Sequence, residues 1–373
     1  GLPKGVMHSF HSFSFAIKHA MATMNDLKND ERFFSYLPLS HIAERMLVEM
    51  GGIYCEASIS FAESLETFAN DLQSVRPTIF LAVPRIWTKF QMGILNKLPQ
   101  KKLNLLLAIP FVSSIIKNKI TTGLGLDKAK YLLAGAAPLP ASTMDWFDKL
   151  GMPICEAYAM TENSAYSHFT RKEFRKPGFV GQAFPHVEVR ISHEGEIQTK
   201  SDANMIGYFK EPEKTAEALL ADGYLCTGDQ GIVDKDGFLK ITGRIKDIFK
   251  TDKGKYVAPA PIEMHLSKNT MIEQVCVVGC NLPQTMALIV LSEEAKSLDK
   301  HTVETSIKEL IVDVNKKLDK HEKMKKAVIM NEEWTVDNNL LTPTLKVKRN
   351  ILEAKLQDNY QAWYSNDAAI VWV

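Results

Sequence analysis

Residues suited to a phosphate, a flat ring and a sugar occur along this chain in five short segments. Lys4 lies in Gly1-Leu2-Pro3-Lys4-Gly5, where glycine lets the main chain approach oxygens and lysine neutralises them. Gly135, Ala136, Ala137 and Pro138 follow an apolar run; small residues at a strand end leave room for a flat ring, and a tight turn accounts for them equally well. Tyr158, Thr161 and Glu162 combine an aromatic to stack a base, a hydroxyl to donate to a phosphate and a carboxylate to ligate Mg2+ through water. Helix capping explains the last two just as well. Asp229 closes Asp222-Gly223-Tyr224-Leu225-Cys226-Thr227-Gly228-Asp229, where a carboxylate on a glycine turn could bind a ribose diol or simply serve the turn. Lys346, in Leu341-Thr342-Pro343-Thr344-Leu345-Lys346, is by itself one lysine among many. The P-loop pattern G-x-x-x-x-G-K-[ST] occurs nowhere. Cys276 and Cys280 have no paired His or Cys nearby and read as core cysteines.

The elements that would position these groups follow from the apolar pattern. Short apolar runs around Phe33–Leu37, Thr78–Val83, Tyr131–Leu133 and Met152–Cys155, bounded by Pro and Gly, read as buried strands. Their alternation with helix-length segments predicts an α/β fold with a mostly parallel sheet covered on both faces. From about Val187 the period changes to two, with turns at His193-Glu194-Gly195 and Asp234-Lys235-Asp236-Gly237, so a hairpin-rich β subdomain is expected over about 180–243. Beyond Gly243-Arg244-Ile245-Lys246-Asp247, strand-like Val275–Val278 and Met286–Leu291 precede Val303, Ile307, Leu310, Ile311, Val314 and Leu318 at helical spacing. The expected domains are therefore 1–245 and a small α+β module, 246–373.

With 373 residues, 45% hydrophobic and 24% charged, the chain carries a full globular core. Its 45 Lys+Arg against 44 Asp+Glu give no global field for nucleic acid, so an anion site must be local. Five cysteines offer no disulfide framework and suggest a reducing, cytoplasmic compartment. No apolar run is long enough to span a bilayer. The nearest, Leu103–Ile116, is broken by Pro110 and reads as a buried helix pair, with a peripheral membrane contact or an acyl-lining role as the alternative. Lys316, Lys317, Lys320, Lys323, Lys325 and Lys326 read as a solvated face, with docking of an anionic cofactor as the sharper reading. The opening at Gly1 without Met reads as a cut in a longer chain.

Taken in order, Pro3-Lys4-Gly5, Tyr36-Leu37-Pro38-Leu39-Ser40-His41, Gly135–Leu139, Tyr158–Glu162, Thr227-Gly228-Asp229, Ile241–Asp247 and Leu341–Arg349 form a distinctive series. It resembles the adenylate-forming acyl-CoA synthetase superfamily and, with Lys253–Glu263, the long-chain fatty acid CoA ligases, over Gly1 to about Lys355. The resemblance implies a large AMP-binding domain followed by a small mobile one. It implies ATP, Mg2+ and CoA with a fatty acid as small-molecule substrates, and no nucleic acid. It further implies that Lys4 ends a pyrophosphate loop whose Ser/Thr/Gly-rich part lies upstream of Gly1, and that Gly135, Ala136, Ala137 and Pro138 wall the adenine beneath Tyr158. Thr161 would bond the α-phosphate, Glu162 hold Mg2+, Asp229 take the ribose hydroxyls and Arg244 add a ribose or phosphate contact. Lys346 would be the lysine of adenylation, His41 would border the carboxylate site, and Lys246 would be the hinge that brings Lys250 to Tyr256 toward the thiol. Ala157 and Ala159 stand where the family often has glycine. Two alternatives remain at this level: a non-catalytic AMP- or acyl-binding fragment, and a ligase with an acceptor other than CoA. Met50–Phe61 and Ala165–His168 are candidate acyl-tunnel segments.

Overall fold

The computed structural model describes residues 4–24, 27, 30–64, 66–137, 139–342 and 345–373. It divides into two compact units, Gly1–Thr227 with Gly231–Ile241, and Gly228–Gln230 with Thr242–Val373.

The first unit is built on a seven-stranded sheet in the order Ser58–Phe61, Arg32–Ser35, Ile79–Ala82, Tyr131–Ala134, Ile154–Tyr158, His168–Phe169, Gln182–Ala183. The first five strands run parallel and the last two antiparallel. Because successive side chains point to opposite faces, Phe33, Ile79, Tyr131, Leu133 and Cys155 pack on one face with Ala16, Ile17 and Met21 of helix Phe10–Thr23. Phe34, Phe80, Leu132, Ala134 and Ile154 bury against Trp87 and Phe147 on the other. Both faces are thus covered, as continuous apolar runs require. The four strands expected from the sequence are present; Ser58–Phe61, too polar to stand out as an apolar run, is an additional edge.

Glu188–Ile191 and Glu196–Lys200 pair antiparallel, with Gly195 at φ +82° in the connecting turn. With Leu225–Val233 and Leu239–Arg244 they form a four-stranded sheet, the last two joined by a turn in which Asp234 Oδ1 accepts from the Asp236 and Phe238 amides, each at 2.9 Å.

The Leu103–Ile116 segment corrects an expectation. It forms two helices, Gln100–Leu107 and Pro110–Gly123, with Pro110 opening the second, where its missing amide costs nothing. The pair is not buried: Leu103 points into the core while Leu105, Ile109, Phe111 and Ile115 face outward. Among the described residues no helix is long and apolar enough to cross a membrane.

In the second unit, a four-stranded sheet runs Ile272–Val278, Thr285–Leu291, Met324–Ile329, Ile370–Trp372, antiparallel at the first pair and parallel thereafter. Helices Pro259–Leu266 and Lys300–Asn315 cover one face through Ile262, Leu266, Val303, Ile307 and Ile311. The other face takes Leu352 and Leu356 of helix Arg349–Leu356, with Tyr360 and Tyr364. Asp299 caps the long helix by accepting from the Thr302 amide at 2.9 Å. Two sequence expectations fail here. Cys276 is buried but Cys280 is exposed, because it falls just beyond the end of its strand. Lys326 does not join a solvated face: it is buried in its strand, and its ammonium donates to the carbonyls of Asn366 and Ala368, the latter at 2.7 Å.

Candidate active site

Strand Tyr131–Ala134 lies beside Ile154–Tyr158 with Ala134 opposite Glu156, so the loops leaving their carboxyl ends emerge side by side. A Cβ at Gly135 would make only an ordinary 3.5 Å contact with the Ala157 carbonyl oxygen, whereas Ala136 adopts the left-handed φ of +68°. A larger or β-branched residue at 136 would resist that backbone. The loop is pinned by Glu156, whose Oε1 accepts from the Leu139 amide at 3.0 Å. Burial pushes the Glu156 carboxyl up to about 7, opposed by that amide. Pro138 lies outside the described residues.

Beyond Glu156, Tyr158 packs against Val180, Ile197 and Leu239 and its ring centroid is 5.9 Å from His168. His168 is buried, its Nδ1 is 2.9 Å from Ser167 Oγ, and desolvation pulls its pKa to about 4. The chain then makes a single 3-10 turn, Thr161–Asn163, held by Asn163 Oδ1 accepting from the Met160 amide at 2.9 Å. This turn presents Thr161 and Glu162.

A second element delivers Lys4 to the same place. Val6–Met7 pairs antiparallel with Gly207–Tyr208, and the Phe209 amide donates to Gly5 O at 2.7 Å. The Lys4 ammonium therefore sits 3.8 Å from the Tyr208 ring centroid and 4.0 Å from Glu162 Oε1. Tyr208 Oη donates to that same carboxylate oxygen at 2.7 Å. His8 Nε2 is 2.8 Å from Thr161 O and its Nδ1 3.1 Å from Ser164 Oγ; burial lowers its pKa. Lys4, His8, Thr161 and Glu162 line an open cavity of about 620 Å³ whose other walls include Phe10, Phe13, Leu39, Ser40, Ile42 and Arg45. Ser40 and Ile42 flank His41, whose Nδ1 accepts from the Ala43 amide at 3.2 Å. An apolar wall facing a cation, a hydroxyl and a carboxylate suits a ligand with one greasy and one anionic end.

Among the described residues no cluster of three or more His, Cys, Asp or Glu could hold a metal. One carboxylate beside a lysine still suits Mg2+, which is commonly held by one or two carboxylates with the remaining positions taken by water and substrate phosphates. Glu162 fits that role.

In the second unit, Asp229 Oδ1 lies 3.5 Å from Arg244 Nε. Lys346 shares their field: the residue is exposed to solvent, while partial desolvation of its ammonium by the surrounding protein, reinforced by Arg244 and opposed by Asp229, lowers its pKa. The lysine sits on a turn in which its amide donates to Thr342 Oγ1 at 3.1 Å and Thr342 N to Lys346 O at 2.8 Å. Helix Arg349–Leu356 begins three residues later and is bolted down by Arg349, which ion-pairs with Glu263 and donates to Val277 O at 2.6 Å. Glu263 Oε1 also accepts from the Val277 amide at 2.7 Å. Burial works against the Arg349 charge, but Glu263 more than offsets it, and the pKa stands above the usual arginine value. Lys246 is exposed in the 3-10 turn Ile245–Asp247. Phe249–Lys250 pairs with Tyr256–Val257, setting the Lys250 ammonium 4.8 Å from the exposed Tyr256 ring.

Sequence reasoning assigned no role to Glu156, Tyr208, His8 or Arg349. Only Glu156 carried a local signal, as a carboxylate inside an apolar strand.

An AMP-binding enzyme domain matches residues 1–209, and an AMP-binding enzyme C-terminal domain matches 246–368. The chain belongs to the AMP-binding enzyme family. Similar proteins include the long-chain-fatty-acid–CoA ligase FadD15 of Mycobacterium tuberculosis, 28% identical over 414 residues, covering 98% of this chain and 68% of that protein. Long-chain-fatty-acid–CoA ligase 5 of Mus musculus is 31% identical over 387 residues, covering 91% of this chain and 56% of that one, so the chain spans little more than half of this relative. Among solved structures, the A-PCP didomain of carboxylic acid reductase from Segniliparus rugosus in complex with AMP aligns with a TM-score of 0.79 at 21% identity, over 98% of this chain and 52% of that one. ATP-bound MatB from Rhodopseudomonas palustris aligns at 0.72 and 23%, over 96% and 66%. At these identities the structural likeness speaks to the AMP-binding fold, a mixed α/β architecture with a small C-terminal domain.

Proposed function

We propose that this chain carries the adenylation machinery of an AMP-forming fatty acid:CoA ligase acting on long-chain acids. The observation that carries the reading is the convergence of Lys4, Thr161 and Glu162 on one half-apolar cavity in a chain of the AMP-binding family. A carboxylate oxygen of the acid attacks the α-phosphorus of ATP, a P–O bond forms, and the α–β phosphoanhydride bond breaks to release pyrophosphate. Two anions must approach, so cations are needed where charge spreads in the transition state. Lys4 and Lys346 supply ammonium groups, Thr161 donates its hydroxyl to the α-phosphate, and Mg2+, when held at Glu162, neutralises the phosphates. Gly135, Ala136 and Ala137 wall the adenine with Tyr158 stacked on it, while Asp229 and Arg244 take the ribose. The lowered pKa of Lys346 marks an ammonium whose charge a nearby anion would favour, offsetting partial desolvation and the Arg244 charge.

In the second half-reaction the CoA sulfur attacks the acyl carbon, the thioester forms and AMP leaves. Lys346 has no task in that step, and the resemblance supplies a rotation about Lys246 that exchanges it for the Lys250–Tyr256 hairpin. His41 borders the acid. Fatty-acid-dependent exchange of label between pyrophosphate and ATP tests the reading: exchange is expected, followed by thioester on adding CoA. Absence of exchange favours a non-catalytic binding role; exchange without thioester points to another acceptor.

A further inference from the structure

The exposed faces of helices Gln100–Leu107 and Pro110–Gly123 carry side chains that a water-facing surface disfavours. Phe111 is 87% exposed, Leu105 66% and Ile115 65%, and Ile109 joins them at the connection between the helices. Phe111 and Ile115 are four apart on one helix and therefore share a face, which Lys119 extends by another turn. Lys101 and Lys102 flank Leu105 on the other helix. Between Asp71 and Asp127 the sequence holds eight Lys and Arg and no Asp or Glu, although the whole chain is nearly neutral. Among the described residues none of Lys97, Lys101, Lys102 and Lys119 is in an ion pair, and all four are exposed.

We propose that this helix pair docks the protein on an anionic bilayer, with Phe111, Ile115 and Leu105 entering the headgroup boundary and the lysines meeting lipid phosphates. The charge decides the occupant. A second copy of the same face would set these lysines against their own images, which is repulsive in a self-complementary interface. An anionic surface attracts each nearby lysine and accepts the apolar tips at once. Neither helix is long enough to span, so the contact is interfacial. The inference rests on this surface alone and stands apart from the nucleotide chemistry.

Flotation of the chain with phosphatidylglycerol-containing vesicles, against pure phosphatidylcholine vesicles, tests it. Binding to the anionic vesicles is expected at least tenfold tighter, weakening as salt screens the lysines. The pair Phe111→Ser and Ile115→Ser, and separately Lys101→Glu with Lys102→Glu, should each lower it at least tenfold, with ATP–pyrophosphate exchange unchanged. Phe111→Trp should show added blue-shifted emission on anionic vesicles, a readout that survives if the serine variants fold poorly. No flotation of the parent chain, equal flotation of the variants, or a Phe111-dependent dimer that ignores vesicles would each overturn the proposal.

Discussion

Two buried sites, one in each unit, hold polar groups in opposite ways. In the first, Glu156 and His168 lie on neighbouring strands and burial disfavours the charge of both, shifting one pKa up to about 7 and the other down to about 4. Each is satisfied locally, by the Leu139 amide and by Ser167. In the second, Arg349 and Glu263 bring opposite charges together in a largely buried setting, with the Val277 carbonyl accepting from the arginine and the Val277 amide donating to the carboxylate. The difference fits the work proposed for each. A loop that walls a neutral adenine can be pinned by groups with weakened charge, leaving the local field to Lys4. A turn that carries Lys346 is fixed instead by an ion pair three residues along.

The comparison can be broken most forcefully at Arg349. Arg349→Met leaves Glu263 with a buried, uncompensated charge and should cost about 3–5 kcal/mol. Pairing it with Glu263→Leu should recover most of that, by denaturant unfolding followed in the second unit. A loss of under about 1 kcal/mol for the single variant would mean that the pair is not holding the helix.

Glu156 sharpens the contrast through pH. Its raised pKa means the folded chain binds more protons than the unfolded one, so its contribution to stability falls as pH rises from about 4.5 to about 7. His168 acts with the other sign: its lowered pKa costs stability as pH falls from 6.5 toward about 4. The two slopes oppose each other. Glu156→Gln keeps the oxygen acceptor and removes the titration, so at pH 8 it should be more stable than the parent by on the order of 3 kcal/mol. The His168 slope should then stand unmasked below pH 6.5. An unchanged pH profile would contradict the assignment.

The smallest effect is at Tyr208. Tyr208→Phe keeps the ring beneath Lys4 but removes the hydroxyl that donates to Glu162. A net hydrogen bond of about 1 kcal/mol corresponds to roughly a fivefold rise in the Mg2+ concentration giving half-maximal exchange. No rise would separate Tyr208 from the metal role proposed for Glu162.

What the sequence disclosed follows from how local each feature is. Tyr131–Ala134 and Ile154–Tyr158 were legible as apolar runs, and the segments that follow them are short, so the Gly135 and Thr161 loops could be set at strand ends. The approach of Lys4 to Glu162 was not, because it depends on Val6–Met7 pairing with Gly207–Tyr208 some two hundred positions away. Arg349 and Glu263 are likewise 86 positions apart. The apolar run Leu103–Ile116, broken at Pro110, was legible as a helix pair, but the sequence could not say what covers it, since an apolar stripe reads alike whether it meets a core or solvent. Lys326 looked like its solvated neighbours because only the Asn366 and Ala368 carbonyls distinguish it.

The central claim is that Lys346 serves the first chemical step and not the second. Lys346→Ala should lower fatty-acid-dependent ATP–pyrophosphate exchange by about a hundredfold to a thousandfold, while thioester formation from supplied acyl-adenylate and CoA changes by less than about threefold. Equal loss in both assays would contradict the account.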